Sequence, residues 1–508
     1  MSKTTPIQPW KKTCTLRKEI RERELKQEDF AVDLYQIANR TGESGAPFYC
    51  DPDQFFATTY ATENLRKFCA CILARLAGRS DGVSVLNIAQ TFGGGKTHAL
   101  GTAYYLASLG KKLPEKHPAV AEILAAAKMT AAPIARIAAV SFDRVDWKGG
   151  GFVKSPTGEG KHFRMPWNLI AWQLLGKRGI EILKREEDEP DYYEPPAQSL
   201  WEELFEEVEK DGAGALILLD EFLMWAHGAA SPDPDSVRKD KGPVWHDRLK
   251  NFFQTLSQAT VASKKSCLVV SLLATDPAMR DETGTEILAR CNAGLNRQAD
   301  VQTPVDKGDF AELLRRRMFE AFPNGTVECD KHVTAFWHRM QTVEPARAKN
   351  PDSKKEMMDA YPFHPDLLNR LFGKWAELRQ FQRTRGILQT FAMALREAES
   401  WDDSPLISVQ VFLSRPEASD PLSPALQKLA NDAMNSVDEA GRPQWPNNLA
   451  TEIPRALLAQ KTTTVAGREI EAACAGAFIF SQPIGEQAEL GELRWLIGAT
   501  CDIPAMLN

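Results

Sequence analysis

Residues 83–97 read VSVLNIAQTFGGGKT, and this stretch decides the fold class. It begins with an apolar run typical of a buried strand, passes through three consecutive glycines and ends in Lys96-Thr97, where a helical pattern begins. Glycines in such a loop let successive backbone N–H groups turn towards a phosphate, because no side chain blocks the approach. A strand, a glycine-rich loop, a Lys-Thr pair and a helix in this order predict a phosphate-binding loop.

The loop supplies the residue types that bind a nucleoside triphosphate. Lys96 places a positive charge beside the β- and γ-phosphates, the Thr97 hydroxyl is suited to Mg²⁺, and the positive end of the following helix favours the same anion. We therefore predict ATP and Mg²⁺ as ligands. The predicted nucleotide contacts are Gln90, Thr91, Phe92, Gly93, Gly94, Gly95, Lys96, Thr97 and, in the first helical turn, His98.

The loop departs from the general phosphate-loop pattern at its first position. Gln90 occupies the place of the first glycine in G-x-x-x-x-G-K-[ST], which puts the opening turn of the loop in doubt. The alternative is a glycine-rich turn that carries a solvated lysine. The strand-like run before the loop and the helical pattern after it favour the phosphate loop.

A second apolar run, residues 214–219, leads directly into Asp220-Glu221. In open α/β sheets, ligands bind at the carboxyl ends of the strands. Asp220 is predicted to hold Mg²⁺, directly or through water, and Glu221 to act as the general base on the attacking water. The adjacent acids favour ATP hydrolysis over phosphoryl transfer to a small acceptor. An acidic strand end that only turns into solvent is the alternative.

Polar and basic residues further along the chain extend the predicted site. Thr275, at the end of the apolar run from 266, is the first candidate for a contact with the γ-phosphate, and Asp276 and Ser271 are the second candidates. The alternative for Thr275 is a capping role before a proline. Arg290 and Arg297 are candidates for an arginine presented to a neighbouring subunit's nucleotide. Either is equally interpretable as a surface ion pair.

Two arginines in the helical part of the chain are candidates for a contact from a lid. Arg383 and Arg385, in FQRTRGILQTFA, open a predicted helix from which a guanidinium could reach the phosphates. A structural ion pair is the alternative. The aromatic stretch before the phosphate loop, with Tyr60, is a candidate wall for the base, although such aromatics usually form core.

The pattern of apolar runs predicts the architecture. Strand-like runs alternating with helices indicate an α/β fold in which a parallel sheet carries helices on both faces, as in a P-loop NTPase of the AAA+/ASCE type. We assign a helical N-terminal region to 1–82, the ATPase core to 83–305 and a helical lid to 306–400. Residues 401–508 form a mixed C-terminal region with a weak winged-helix-like alternation.

Composition excludes several classes. The 62 basic and 68 acidic side chains give a net charge of −6, so a globally basic nucleic-acid surface is absent, although a local patch is not excluded. No apolar run approaches the length of a membrane helix. Nine scattered cysteines without a signal peptide indicate reduced thiols and a cytoplasmic location. Without a CxxC pair or an HExxH motif, structural zinc is not expected.

Several segments together resemble a known family. The segments QTFGGGKTH, LLDEFLMWA, YPFHPDLLNRL and FQRTRGILQTFAMAL are similar to a prokaryotic ATPase family catalogued as domain of unknown function number 499, a relative of the AAA+ ATPases. The likeness extends over most of the chain and thins after about residue 400. Gln90 agrees with this family's own form of the loop. Members are often longer, which leaves open that this chain is a fragment.

The resemblance implies a biological setting that the residues themselves do not show. Such proteins lie beside DNA methyltransferases and helicases in anti-phage defence islands and resemble the large BREX ATPases. The expectation is a homo-oligomeric ATPase that couples hydrolysis to conformational change or complex assembly, acting with DNA or with methyltransferase, helicase or nuclease partners. The alternative is an ATP-binding scaffold or switch with slow or no turnover that recruits partner proteins.

Overall fold

A computed structural model gives the fold of most of the N-terminal three-fifths of the chain and parts of the remainder. The residues that it describes are 8–22, 32–88, 95–113, 117–187, 190–230, 243–272, 281–295, 299–302, 309–320, 330–334, 337–338, 341, 349–365, 367–368, 384–400, 402, 405–408 and 411. They divide into two compact units, residues 31–306 and residues 1–30 together with 307–508.

The larger unit is built on a parallel sheet. Five strands lie in the order β2-β5-β6-β1-β7, and every neighbouring pair is parallel. The predicted parallel sheet is therefore confirmed. The strands of the described residues are β1 Val85–Ile88, β2 Ala135–Ser141, β3 Gly151–Lys154, β4 Gly160–Phe163, β5 Gly214–Asp220, β6 Ser266–Val270 and β7 Ala299–Gln302.

Helices cover both faces of this sheet, as the apolar runs predict. The helices of the larger unit are α3 Leu34–Arg40, α4 Pro52–Ala57, α5 Glu63–Leu76, α6 Lys96–Leu109, α7 Pro118–Ala126, α8 Pro166–Leu175, α9 Lys177–Leu183, α10 Gln198–Glu209, α11 Phe222–Ala230, α12 Pro243–Ala262 and α13 Glu282–Leu295. Helices α3 to α7 pack on one face and α8 to α13 on the other.

The central strand β5 shows why the sequence reads as a continuous apolar run. Its residues are all buried, because successive side chains enter opposite cores. Ala215, Ile217 and Leu219 belong to the core beneath α8 to α13, whereas Leu216 and Leu218 belong to the core beneath α3 to α7. A strand with both faces covered cannot alternate apolar and polar residues.

Two features of the larger unit were not predicted from the sequence. The glycine-rich insertion after β2 forms an antiparallel hairpin, in which β3 pairs with β4. Strand β7, with the sequence ADVQ, pairs with β1 at the edge of the sheet. Its four residues are half polar, so no hydrophobic pattern marks it.

The smaller unit brings the N-terminus together with the helices that follow residue 306. Its helices are α1 Trp10–Thr13, α2 Lys18–Glu22, α14 Phe310–Met318, α15 Pro351–Ala360 and α16 Thr384–Ala398. The Trp10 indole Nε1 donates a hydrogen bond to Asp402 Oδ2 at 2.8 Å, and Leu16 forms a β-bridge with Phe319. The helical region predicted for 1–82 is thus divided between the two units.

The arginine triplet 315–317 is part of α14. Arg315 and Arg316 both pair with Glu312 on the same helix, and burial lowers the pKa of Arg317 to about 10. These contacts fit a helix that packs within the protein better than a basic patch for nucleic acid. Among the described residues, no helix is both long and apolar enough to cross a bilayer.

Candidate functional site

The parallel sheet collects polar side chains at one edge. Because all five strands run in the same direction, their carboxyl ends share that edge. Lys96 and Thr97 begin α6 after β1, Asp220 ends β5, and Ser271 directly follows β6. Strand β6 lies between β1 and β5, so β1, which leads towards α6, and β5, which ends in Asp220, are two strand positions apart.

The two halves of the predicted site meet in a hydrogen bond. Thr97 Oγ1 donates to Asp220 Oδ2 at 2.9 Å, across 123 positions of the sequence. The charge of Lys96 also acts on this carboxylate and lowers its pKa, although burial outweighs that effect. The structure therefore brings together Lys96, Thr97 and Asp220 as the sequence predicts.

Asp220 is a buried carboxylate that is only partly satisfied by protein. Asp220 is 2% exposed, and its Oδ1 has no hydrogen-bond partner among the described residues. Burial raises the pKa of Asp220, against the lowering effects of Lys96 and the Thr97 hydroxyl. Burying an ionised group without full compensation is costly, so an additional positive partner would stabilise this carboxylate.

Ser271 lies beside the same carboxylate. Its hydroxyl is fully buried and close enough to lower the pKa of Asp220, yet it makes no hydrogen bond of standard geometry within the described residues. The sequence ranks Ser271 behind Thr275 and Asp276, both of which lie outside the described residues. Within the described residues, the Asp220 Oδ1 and the Ser271 hydroxyl are thus two neighbouring buried polar atoms that make no hydrogen bond of standard geometry.

These residues fit a magnesium ion that is bound together with a nucleotide. Mg²⁺ prefers oxygen ligands, and proteins usually hold it with one or two carboxylates, substrate phosphates and water. Asp220 Oδ1 and the Thr97 hydroxyl are oxygen donors of this kind. Within the described part of the chain, no group of three or more histidine, cysteine or acidic side chains could hold a metal by itself. Phosphate oxygens would complete the set.

Gly95, the residue before α6, adopts the left-handed conformation, with φ 82° and ψ 15°, and as a glycine it has no side chain with which to cap the helix. Glycine adopts that conformation without the steric cost that a side chain brings, and the N–H groups at the start of a helix favour an anion. The remaining loop residues named from the sequence, Gln90, Thr91, Phe92, Gly93 and Gly94, lie outside the described residues.

Glu221 occupies a strained position between β5 and α11. Its φ is +53°, a value that is uncommon for any residue other than glycine and costs of the order of 1 kcal/mol. The turn is held by the core on both sides, because Asp220 and Phe222 are buried. The Phe222 N–H donates to the Ser271 carbonyl at 3.4 Å. Lys128 and Lys184 have similar positive φ values, so this geometry by itself assigns no role to the Glu221 carboxylate.

His98 belongs to the first turn of α6, as predicted, and its ring faces the N-terminal part of the unit. It stacks on Phe55 with ring centroids 4.5 Å apart, and its Nε2 lies 3.1 Å from Thr59 Oγ1. Phe55 and Phe56 are buried in the core, so these two aromatics are structural. Tyr60 is half-buried. A contact between His98 and a nucleotide remains a prediction.

The predicted arginines lie in different settings. Arg290 is on α13, with a side chain that is 44% exposed and forms ion pairs with Asp247 at 3.4 Å and Glu286 at 3.8 Å. Arg385 is on α16, in the smaller unit, and its side chain is not described. Arg297 and Arg383 lie outside the described residues. Their predicted roles are therefore neither supported nor contradicted.

Sequence reasoning missed one acid at the site edge. Asp143 follows β2, and the residue before its turn, Ser141, is the register partner of Asp220. The stretch 134–143, with the sequence IARIAAVSFD, is an apolar run that ends in Ser141, Phe142 and Asp143. This ending is a weaker signal than the adjacent acids Asp220-Glu221, because a single serine or aspartate at a strand end is common in turns.

The sheet and its polar edge define an α/β protein with a five-stranded parallel sheet between two helical layers and a polar site at the carboxyl ends of the strands. Residues 10–289 match the family described as DUF499 N-terminal domain. Because the match includes more than half of the chain, this protein belongs to that family. Neither the curated proteins nor the solved structures include a significant match to the chain.

Proposed function

We propose that this protein is a Mg²⁺-dependent ATPase of the P-loop type. The observation that supports the proposal most directly is the hydrogen bond between Thr97 and the buried, partly unsatisfied Asp220. In a P-loop site, a hydroxyl after the lysine and an acid at a strand end hold the same magnesium ion. Two side chains from distant parts of the chain meet here in that arrangement, beside Lys96.

Each residue of the edge has a role in this proposal. Lys96 and the start of α6 would bind the β- and γ-phosphates, and Thr97 and Asp220 would hold a magnesium ion. When bound, such an ion would supply positive charge beside the phosphates. Glu221, one residue after the metal-binding acid, accepts the proton of the attacking water.

The partners and biological setting are proposed from the family resemblance. The proposal includes a homo-oligomer in which Arg290 or Arg297 reaches a neighbouring nucleotide, and a lid that carries Arg383 and Arg385. It also includes a cytoplasmic location and a role in anti-phage defence with DNA or DNA-modifying proteins. An ATPase titration with duplex DNA, single-stranded DNA and RNA tests whether nucleic acid is a partner. A stimulation that the Lys96→Ala variant lacks would support nucleic acid as the effector.

The Lys96→Ala variant tests nucleotide binding. The matched control is Lys177→Ala, because Lys177 also begins a helix after a glycine with positive φ and its side chain is 86% exposed. We expect Lys96→Ala to abolish binding of a fluorescent ATP analogue and Lys177→Ala to leave it unchanged. Equal affinity in both variants would contradict the phosphate-loop assignment.

The Glu221→Gln variant separates hydrolysis from binding. We expect ATP affinity to be retained and turnover to fall by about 10²- to 10⁴-fold, the usual contribution of a general base. Glu203→Gln, an exposed glutamate on α10, is the control. If wild type binds ATP but its turnover equals that of Glu221→Gln, the alternative of an ATP-binding scaffold or switch replaces the ATPase.

A further inference from the structure

We propose that Asp143 is a further positioning residue of the proposed magnesium site, where its carboxylate would accept hydrogen bonds from water on a bound Mg²⁺. The inference rests on the proposed function and names the residue that completes its metal environment. The observation that carries it is the juxtaposition of two strand ends. Asp143 and Asp220 are brought to one edge by β2 and β5, which pair in parallel register.

The register places the Asp143 turn next to Asp220. Ser141, the last residue of β2, is the register partner of Asp220, the last residue of β5. The Ser141 hydroxyl donates to Asp143 Oδ1 at 2.8 Å, which holds the carboxylate back against the end of its own strand. Asp143 also acts electrostatically on Asp220 and raises its pKa. The two carboxylates therefore share one local environment.

The turns that carry Asp143 and Glu221 are fixed by the same aromatic contact. Phe142 is buried and packs edge-to-face on Phe222, with ring centroids 4.8 Å apart. Phe142 directly precedes Asp143, and Phe222 directly follows Glu221. Both rings also pack against Trp225. The same aromatic core therefore holds both the turn that carries Asp143 and the turn that carries Glu221, the proposed general base.

Exposure distinguishes the roles of the two aspartates. Asp220 is buried, whereas the Asp143 side chain is 25% exposed and open to water. Mg²⁺ keeps several of its waters when it binds proteins, and those waters need hydrogen-bond acceptors. A carboxylate that is partly solvated and next to a metal-binding acid is such an acceptor. Asp143 has a second neighbour, Arg144, which lies 3.7 Å from Asp143 Oδ2. Arg144 pairs more closely with Asp33, at 2.9 Å.

The test measures magnesium binding without turnover. The full-length protein is mixed with the non-hydrolysable analogue adenylyl-imidodiphosphate and titrated with MgCl₂, and thermal stabilisation is followed. We expect Asp143→Asn to raise the Mg²⁺ concentration for half-maximal stabilisation by about 10-fold, since loss of a carboxylate that supports a metal site costs about 10- to 100-fold in metal affinity. Affinity for the analogue in EDTA should stay unchanged.

Two further variants identify the cause. Ser141→Ala removes the hydrogen bond that holds Asp143 and should shift the Mg²⁺ midpoint in the same direction by a smaller factor. Asp146→Asn is the matched control, because Asp146 is an exposed acid three residues along that accepts backbone hydrogen bonds from Lys148 and Gly149. It should leave the midpoint unchanged.

The outcomes separate this inference from the proposed function. If wild type gains no Mg²⁺-dependent stabilisation with the analogue, the proposed magnesium–nucleotide site is itself refuted. If wild type gains it and Asp143→Asn has the same midpoint, the role of Asp143 alone is refuted. A shift in Asp143→Asn that is matched by Asp146→Asn would also overturn the assignment, since it would reflect surface charge rather than position.

Discussion

Two charged regions of the larger unit differ in how their charges are satisfied. At the sheet edge, Asp220 is buried, and both its Oδ1 and the Ser271 hydroxyl lack a partner among the described residues. On the surface of α13, Arg290 pairs with Asp247 and Glu286, and Asp281 pairs with His227 at 3.0 Å. Buried polar atoms without a hydrogen bond within the described residues leave room for a water, an ion or a ligand, whereas paired surface charges are typical of a solvated helix.

The first prediction concerns the metal-dependent part of nucleotide binding. Thr97→Val keeps the shape of the side chain but removes the hydroxyl. We therefore expect the factor by which Mg²⁺ increases ATP affinity to be smaller than in wild type by about 10-fold or more. Thr102→Val is the control on the same helix, because its buried hydroxyl donates only to the His98 carbonyl in the described structure. Calorimetry with and without EDTA distinguishes the two variants. If ATP binding depends equally on magnesium in wild type and Thr97→Val, the sheet edge does not differ from the paired surface of α13 in the way proposed.

The second prediction concerns the stability of the ligand-free edge. Asp220→Asn removes the buried charge while keeping an acceptor for Thr97, so we expect the free energy of unfolding without ligand to rise by about 1 kcal/mol, as is common when an active-site charge is removed. Loss of Mg²⁺-dependent stabilisation should accompany this gain. Urea denaturation with and without magnesium nucleotide measures both effects.

The stability difference between wild type and Asp220→Asn should depend on pH, and the direction follows from the shift in the pKa of Asp220. Because the pKa of Asp220 is raised in the folded state, its charge destabilises the fold at pH values above the folded pKa. The cost disappears as the pH falls from the folded pKa towards the unfolded value of about 4. Wild type and Asp220→Asn should therefore converge in stability at acid pH. A difference that grows on acidification would contradict the shift.

The third prediction tests the strain at Glu221. Its φ of +53° suits glycine and disfavours alanine, so Glu221→Gly should be more stable than Glu221→Ala by about 1 kcal/mol. Both variants lack the carboxylate, and both should lose turnover. Thermal denaturation of the pair measures the strain without reference to activity. If alanine is the more stable replacement, the backbone at residue 221 is not strained.

The smallest effect is expected on α13. Arg290→Ala breaks two exposed ion pairs, which typically contribute under about 0.5 kcal/mol each, so stability should change little. Turnover tests the proposed role of Arg290 separately from stability. A loss of about 10³-fold in turnover with unchanged ATP affinity would establish Arg290 as an arginine that acts on a neighbouring subunit. Sizing with ATP and a dilution series of the ATPase rate would then reveal the oligomer. Unchanged turnover would leave Arg290 as a surface ion pair.

Much of the fold was predictable because its pattern is local. The apolar run of β5 predicts a strand buried on both faces, and its alternating contacts with two cores confirm that interpretation. Helix α5 lies within the region 1–82 that was predicted to be helical, and Gly78 follows its end with φ +74°. Strand β7 was not predictable, since four half-polar residues become a strand only by pairing with β1.

The candidate site was predictable where residue types are rare in combination. Lys96 and Thr97 after three glycines, and Asp220 and Glu221 after an apolar run, stand out from the sequence alone. Asp143 did not stand out, because its importance comes from register with β5 and not from its neighbours along the chain. The sequence likewise left Arg290 open between two roles, and the structure adds only its local ion pairs.

By itself, the sequence determined the parallel α/β class, the phosphate-loop residue types and the acidic strand end, because hydrophobic periodicity and glycine conformation act over a few residues. Only the tertiary structure decided that Thr97 contacts Asp220, that Ser271 is buried beside them and that Asp143 joins the same edge. These contacts depend on strand order and register. Both are fixed by packing between segments that lie more than 50 residues apart in the chain.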